Sequence, residues 1–315
     1  MSLYCVGEMV IDFLPGDVPG TYIRCAGGAP ANVAIAASRM GSKTGFCGKV
    51  GQDDFGDFLC ETLVTNGVKV LCTKRAVEAV TTMAFVTLHE NGERTFTFAR
   101  KPGADMLLSP EDILVNDIRE AKIVHAGSCS LSAPEEREAT KFAMITAQRF
   151  KKLVSFDVNY RHLLWKEKAE AKKRILEVLP YVDLLKISED EVEFIAENGE
   201  LSQALERFNI SLCVVTLGEK GAECYWKGNK YPVDAKHVEC VVDTTGAGDA
   251  FWGTFLSSLL EDGIESLEDL GNDMIKAALD KGTIAGSLCI QKKGALESLP
   301  YLKEVEEIYN ARHLE

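Results

Sequence analysis

The residues best placed to do chemistry are Gly246-Ala247-Gly248-Asp249, a small glycine-spaced turn that opens an apolar helical pattern over residues 251–260. Backbone N–H groups at a helix start have no partners inside the helix, and the positive end of its dipole lies there, so such a turn attracts anions. Gly246 and Gly248 let a ligand approach the backbone with no Cβ in the way. A carboxylate beside an anion site repels that anion unless it has a task of its own. For Asp249 the task would be general-base chemistry on a hydroxyl that attacks a phosphoryl group. Read as four residues alone, the string is also a plain tight turn with an Asp favoured by the helix dipole.

Other elements must position this turn. From residue 122 onward, apolar runs at 122–126, 153–157, 182–187 and 212–217 alternate with helical patterns at 134–150, 166–179, 189–196 and 202–208. That alternation predicts parallel βαβ units in a doubly wound, mostly parallel α/β sheet flanked by helices. Such sheets bind ligands beyond the carboxyl ends of their strands. The rule selects Asn159, Arg161, Ser188, Glu191, Gly218 and the turn at 243–249, with Val241-Val242 read as the strand end that feeds it. No GxxxxGK[ST] loop occurs, so phosphates would be held by the Gly246 turn, Mg²⁺ and a basic side chain such as Arg161, whose plain alternative is a surface ion pair.

The first hundred residues read differently. Residues 3–13 form a strand interrupted at Gly7, with Asp12 near its end as a turn cap or a hydroxyl acceptor. A turn and short strand follow, to Cys25. Gly27-Gly28 then opens a small-residue helix in which Asn32 can both donate and accept. Residues 43–51 read as a second strand, 57–66 as a helix, and 75–80, 82–89 and 94–99 as β, with 90–93 a hairpin turn around Asn91-Gly92. Their alternation predicts a small two-faced sheet apart from the main core. A late hairpin (222–227 with 230–233) and helices at 267–290 and 301–312 complete the chain.

Composition excludes several classes. The 315 residues are 46% hydrophobic and 26% charged, ordinary for a globular protein. Net charge is −13 without a block of like charges, which argues against nucleic acid, since a phosphate backbone needs a basic footprint. No apolar run reaches the ~18 residues of a membrane span. The N-terminus lacks the basic n-region of a signal peptide. The ten cysteines are scattered, without a CxxC pair, and read as reduced residues of a cytoplasmic protein. The five histidines lack ligand spacing, so no zinc site is expected.

Four motifs carry a family resemblance: Gly7-Glu8-Met9-Val10-Ile11-Asp12, Gly27-Gly28-Ala29-Pro30-Ala31-Asn32-Val33-Ala34, Val215-Thr216-Leu217-Gly218-Glu219-Lys220-Gly221 and Asp243-Thr244-Thr245-Gly246-Ala247-Gly248-Asp249-Ala250-Phe251. In order and spacing they resemble the ribokinase-like, PfkB-type carbohydrate kinases, over nearly the whole chain. The resemblance implies a single ribokinase-like domain over 1–315, with a β lid formed by about 13–25 and 74–100. It implies transfer of the ATP γ-phosphoryl to a sugar hydroxymethyl group. Asp249 would be the base, Gly246, Ala247 and Gly248 the donors to phosphoryl oxygens, and Arg161 the catalytic cation. Asp12, Gly27, Gly28 and Asn32, with Phe98 and Arg100, are expected at the sugar. Lys186, Ser188, Thr216, Gly218, Lys220 and Gly221 are expected on the ATP side. Glu191 would organise Mg²⁺ through water, and Asp243, Thr245, Gly294 and Ser298 match a loop that binds K⁺ in relatives. The lid is expected to cover the sugar and to make a homodimer.

The family's usual Asn-x-x-Glu stands here as Ser188-Glu189-Asp190-Glu191, a variant common in its fructokinases. Residues 100–108 and 159–165 also resemble fructokinases, so phosphorylation of D-fructose at its 6-hydroxyl is the expected activity. One alternative is a 2-keto-3-deoxygluconate kinase, whose anionic substrate would want an arginine such as Arg24, Arg94 or Arg100. Another is a different sugar or nucleoside kinase of the family. A non-catalytic sugar-sensing relative would not need Asp249. An NAD-dependent oxidoreductase on a Rossmann sheet lacks its GxGxxG after the first strand.

Overall fold

The computed structural model describes residues 1–72, 74–88, 94–196 and 200–313. In chain order the strands are β1 (Leu3–Val6), β2 (Val10–Pro15), β3 (Tyr22–Gly27), β4 (Thr44–Cys47), β5 (Lys69–Val70), β6 (Met83–Leu88), β7 (Arg94–Ala99), β8 (Ile123–Gly127), β9 (Leu153–Asp157), β10 (Leu184–Ser188), β11 (Leu212–Thr216), β12 (Ala222–Trp226) and β13 (Asn229–Val233). Nine of them form one sheet in the order β13-β12-β11-β10-β9-β8-β1-β4-β5. The run from β11 to β5 is parallel, and β12 and β13 close one edge antiparallel.

The four helices that bear on the site are α1 (Ala29–Arg39), α2 (Pro134–Arg149), α3 (Ala247–Glu261) and α4 (Asn272–Cys289). Strand β1 explains why the sheet is covered on both faces. Its four residues are all buried, and they alternate between two hydrophobic cores. Leu3 and Cys5 belong to the core that also holds Val33 of α1 and Trp252 and Phe255 of α3, whereas Tyr4 and Val6 belong to the core that holds Ala139 and Met144 of α2. Side chains alternate sides with period two, so a continuous apolar run marks a strand with helices above and below.

The remaining strands form a separate four-stranded sheet, β3-β2-β6-β7, in which only β2 and β6 run parallel. Phe13 and Phe85 stack at 4.8 Å on it, with the Tyr22 ring edge-on to Phe85 at 5.9 Å.

Several expected elements fall elsewhere. Residues 75–80 are not a strand: the segment makes isolated bridges, Gly51 with Ala76 and Val80 with Gly103. Val77 and Val80 are solvent-facing, so their β propensity finds no surface to pack on. Residues 74–82 thus lie outside the small sheet. Val241 and Val242 are also exposed and outside any strand. The Val242 N–H instead donates to Ile290 O at 2.8 Å. The expected strand over 3–13 is two strands, β1 in the large sheet and β2 in the small one, separated at Gly7-Glu8-Met9. The strand expected over 43–51 shortens to β4. The helix expected at 57–66 begins at Asp54, because Asp53 caps it by accepting from Gly56 N at 2.8 Å. The turn expected at 90–93 lies outside the described residues. Among those residues, no helix is long and apolar enough to cross a membrane.

Candidate active site

Helix α3 begins at the carboxyl end of the large sheet. Gly246 is its N-cap at φ +83°, a conformation that costs an L-residue, and a β-carbon there would lie 3.1 Å from the Ala295 backbone. Asp249 therefore sits in the first turn, 7% exposed. Helix α1 crosses α3 closely because Gly253 has no side chain: a β-carbon there would meet Ala36 Cβ at 2.6 Å and Val33 O at 2.7 Å. The close crossing brings Asn32 within reach, and its Nδ2–H donates to Asp249 Oδ2 at 2.8 Å.

These groups line a cavity of ≈ 490 Å³ between the large sheet and the small one. Its floor is Gly246, Gly248, Asp249 and Lys186, and its far wall is Glu8, Asp12, Gly28, Asn32 and Phe98. Asn159, Arg161, Cys129 and the 162–164 segment close a third side, and Thr244, Thr245 and Ala295 complete the rim.

Two cations face the anion-binding turn. Lys186 is 5% exposed, at the end of an apolar strand, and its Nζ donates to Asp157 Oδ2 at 2.8 Å across the β9–β10 register. A β-carbon on Gly248 would lie 3.2 Å from that ammonium, so the lysine touches the turn itself. Burial works against its charge, but Asp157, Glu191 and Asp249 outweigh it and raise the lysine above its usual range. Arg161 is the second cation, acting on both Asp249 and Asp12.

The carboxylates respond to the same surroundings. Burial raises Asp249 above the usual carboxylate range, while the Asn32 hydrogen bond, Lys186 and Arg161 pull it back. Burial pushes Asp157 up to about 6 against Lys186, and Asp12 up to about 6 against Arg161. A base held ionised by a hydrogen bond and two cations, next to N–H donors for an anion, is suited to activating a hydroxyl that attacks a phosphoryl group.

The structure thus gathers Asp12, Gly28, Asn32, Phe98, Arg161, Lys186, Thr245, Gly246, Gly248 and Asp249 around one cavity. Ala247 lies in the same turn as the first helical residue. Gly27 backs Asp12, whose Oδ2 would be 2.2 Å from a β-carbon there. Ser188, Thr216, Gly218, Lys220 and Gly221 lie on or just beyond the ends of β10 and β11 and do not line the cavity. Glu191 holds the loop after β10: its oxygens accept from Ser188 N at 2.9 Å and Tyr160 N at 2.6 Å. Asp243 accepts from Thr245 N at 3.0 Å, Thr245 Oγ1 at 2.7 Å and Gly294 N at 3.2 Å. Ser298, buried nearby, bonds Cys289 Sγ at 2.9 Å. Arg100 is not at the cavity. Its guanidinium is held behind the far wall by Asp105 and Glu136.

Two site residues, Glu8 and Asp157, escaped the sequence reading, whereas Lys186 was expected on the ATP side. Glu8 breaks the apolar run between β1 and β2, and its Oε1 accepts from Ala29 N at 3.2 Å. Asp157 and Lys186 are single charges inside apolar strands. Their signal was that opposite charges so embedded must pair, since an isolated buried charge is too costly. Among the described residues, no group of three or more His, Cys, Asp or Glu side chains could hold a metal ion.

A base, an anion-binding turn and two cations on one cavity walled by Asp12 and Asn32 suit a phosphotransferase acting on an alcohol. Residues 2–302 match the pfkB family carbohydrate kinase model, and the chain belongs to that family. The chain is 41% identical to a probable fructokinase-4 of Arabidopsis thaliana over 96% of this chain and 94% of that protein. It is likewise 41% identical to fructokinase-2 of Solanum lycopersicum, over 95% and 93% of the two. A fructokinase with bound ATP from Xylella fastidiosa superposes with a TM-score of 0.93 at 32% identity, covering 99% of each chain. A fructokinase from Vibrio cholerae O395 in a fructose-, ADP- and calcium-bound form gives 0.86 at 33%, over 97% and 98%. The large sheet with its small companion is the ribokinase-like fold, and the protein is a carbohydrate kinase.

Proposed function

We propose that the protein is an ATP-dependent fructokinase that transfers the γ-phosphoryl group to the 6-hydroxyl of D-fructose. The observation that carries the catalytic assignment is the buried Asp249 carboxylate, fixed by Asn32 in the first turn of α3. Asp249 takes the proton of the attacking hydroxyl. The N–H groups of the Gly246-Ala247-Gly248 turn, with Lys186 and Arg161, meet the charge that builds on the transferring group. Asp12, Gly28, Asn32 and Phe98 hold the sugar, with Gly27 supporting Asp12. Ser188, Thr216, Gly218, Lys220 and Gly221 serve the nucleotide. The fructokinases at 41% identity over nearly the full chain support fructose as the acceptor.

The acidic loop after β10 fits Mg²⁺ held through water: Glu191 lies beside Asp157 and Lys186, and two backbone N–H donors fix its orientation. Bound there, Mg²⁺ would neutralise charge on the phosphate chain. The Asp243 loop, with Thr245, Gly294 and Ser298, suits a monovalent cation such as K⁺. The small sheet acts as a lid over the sugar. The exposed Tyr22 and Ile23 of β3, with Val18 on the turn before it, support a homodimer contact. The ten free cysteines, eight of them buried, favour a cytoplasmic setting.

The keto-acid alternative loses ground at the arginines. Arg100 is already committed to two carboxylates, and Arg24 stacks over Phe58 at 3.8 Å, away from the cavity. The side chain of Arg94 lies outside the described residues. ADP release with Mg²⁺ and ATP, measured against fructose, 2-keto-3-deoxygluconate, ribose, glucose and a nucleoside, tests the assignment. The highest kcat/KM is expected for fructose. A preference for the keto-acid would overturn the sugar, and no turnover on any acceptor would overturn the kinase.

A further inference from the structure

Behind the far wall of the cavity lies a buried charge cluster that the phosphoryl-transfer chemistry does not use. Arg100 leaves the small sheet at the end of β7. Its Nε donates to Asp105 Oδ2 at 2.8 Å, Nη1 to Ser132 Oγ at 3.1 Å and Nη2 to Glu136 Oε2 at 3.1 Å. Thr82, at the entry to β6, donates its hydroxyl to the other oxygen of Asp105. Glu8, on the crossing from β1 to β2, lies in the field of Arg100 and Asp105. Its Oε1 accepts from Ala29 N at 3.2 Å, where β3 passes into α1. All four connections between the small sheet and the body therefore meet at this one cluster.

The formal charges are unbalanced, and burial raises Glu8 to about 7 and Glu136 well above the usual carboxylate range. One guanidinium faces three carboxylates, Glu8, Asp105 and Glu136, all buried. Glu8 Oε2 and Glu136 Oε1 have no hydrogen-bond partner among the described residues. Buried carboxylates repel one another unless a cation sits among them. Arg100 is that cation, and its planar fork ties groups from separate segments where a lysine offers only a point charge.

We propose that Arg100 is a positioning residue for the sugar half of the site: it joins the small sheet to the body so that Glu8 holds the Gly28-Ala29 turn and the adjoining Asp12 wall against the cavity. The sugar and nucleotide halves then depend on it unequally. Asp249, Lys186, the Gly246 turn and the ends of β10 and β11 belong to the body, and no hydrogen bond or ion pair of Arg100 reaches them. The inference rests on the sugar-kinase reading, but not on the identity of the sugar.

The test is steady-state kinetics of Arg100→Met and Arg100→Lys, with the acceptor that the wild type phosphorylates fastest, beside thermal melts. Arg100→Met should lower kcat/KM for the sugar about 10–100-fold, mainly through KM, with KM for ATP within about twofold of wild type. Arg100→Lys should recover part of the loss, since the charge returns without the fork. If Arg100→Met does not fold, Glu8→Gln gives the same reading, because it keeps an acceptor for Ala29 N and removes the ionisable carboxyl that lies in the field of Arg100. Its KM for sugar should rise several-fold with that for ATP unchanged. Parallel losses for sugar and ATP that track melting temperature, or unchanged sugar constants, would overturn the proposal. A wild type that phosphorylates no sugar overturns the function itself, an outcome read before any variant is made.

Discussion

Lys186→Met separates what the buried lysine does for the fold from what it does for the reaction. The side chain is almost wholly buried and bonds Asp157 at 2.8 Å, and Asp157 Oδ1 has no other partner among the described residues. Removing the ammonium leaves a buried carboxylate uncompensated, which costs about 3–5 kcal/mol and lowers the melting temperature by on the order of 10 °C. Turnover should fall about 10²–10³-fold, the usual cost of losing one group aimed at developing charge. A single variant cannot tell the two losses apart. Lys186→Met combined with Asp157→Asn removes both charges, and replacing a whole buried pair is often neutral for stability. The double variant should therefore regain most of the melting temperature in calorimetry and none of the lost kcat. Recovery of kcat along with stability would refute a role for Lys186 at the phosphoryl group, and the lysine would be a structural partner of Asp157.

Three further outcomes follow from the same geometry. Asn32→Ala removes a hydrogen bond that holds the Asp249 pKa down. The acid limb of its kcat/KM profile should move to higher pH, and an unmoved limb would detach that limb from Asp249. Asp12 has its carboxyl raised from 3.8 to about 6 by burial, so the folded state carries a proton there that the unfolded chain has lost. Its contribution to stability is full below 3.8 and disappears as pH rises through about 6. Melting temperatures of Asp12→Asn should lack that decline, and sugar binding by the wild type should strengthen as pH rises through the same window. Gly246→Ala forces a methyl to 3.1 Å from the Ala295 backbone in a left-handed conformation. It should cost about 1–2 kcal/mol in stability and, by displacing the N–H donors, about 10²-fold or more in kcat, read by denaturant melts and steady-state rates.

The parallel core was legible because burial on both faces writes itself as apolar runs: β9 begins and ends where its sequence predicted, and β8, β10 and β11 within two residues. The anion-binding turn was legible because two glycines, a carboxylate and an apolar helix leave few physical readings. Legibility failed where neighbours decide. Val77, Val241 and Val242 have β propensity but no strand to pair with, and Val80 makes only an isolated bridge with Gly103, which no local pattern reveals. Gly7-Glu8-Met9 looked like a pause in one strand and is the crossing between two sheets. Arg100 sits in a sugar-kinase-like stretch, yet its placement depends on Asp105 and Glu136, the second of them 36 residues away. The Lys186–Asp157 pair needed the register of β9 against β10, which charge counting alone does not supply.

If Asp249 is the base of a sugar kinase, Asp249→Asn should remove turnover and leave binding. The substitution keeps size and an acceptor for Asn32 but removes the proton-accepting charge. Turnover with ATP, Mg²⁺ and fructose should fall by about 10²–10⁴-fold, while calorimetric binding of fructose and of ATP stays within a few-fold of wild type. Binding lost in step with turnover would make Asp249 a structural residue, and turnover retained would rule it out as the base.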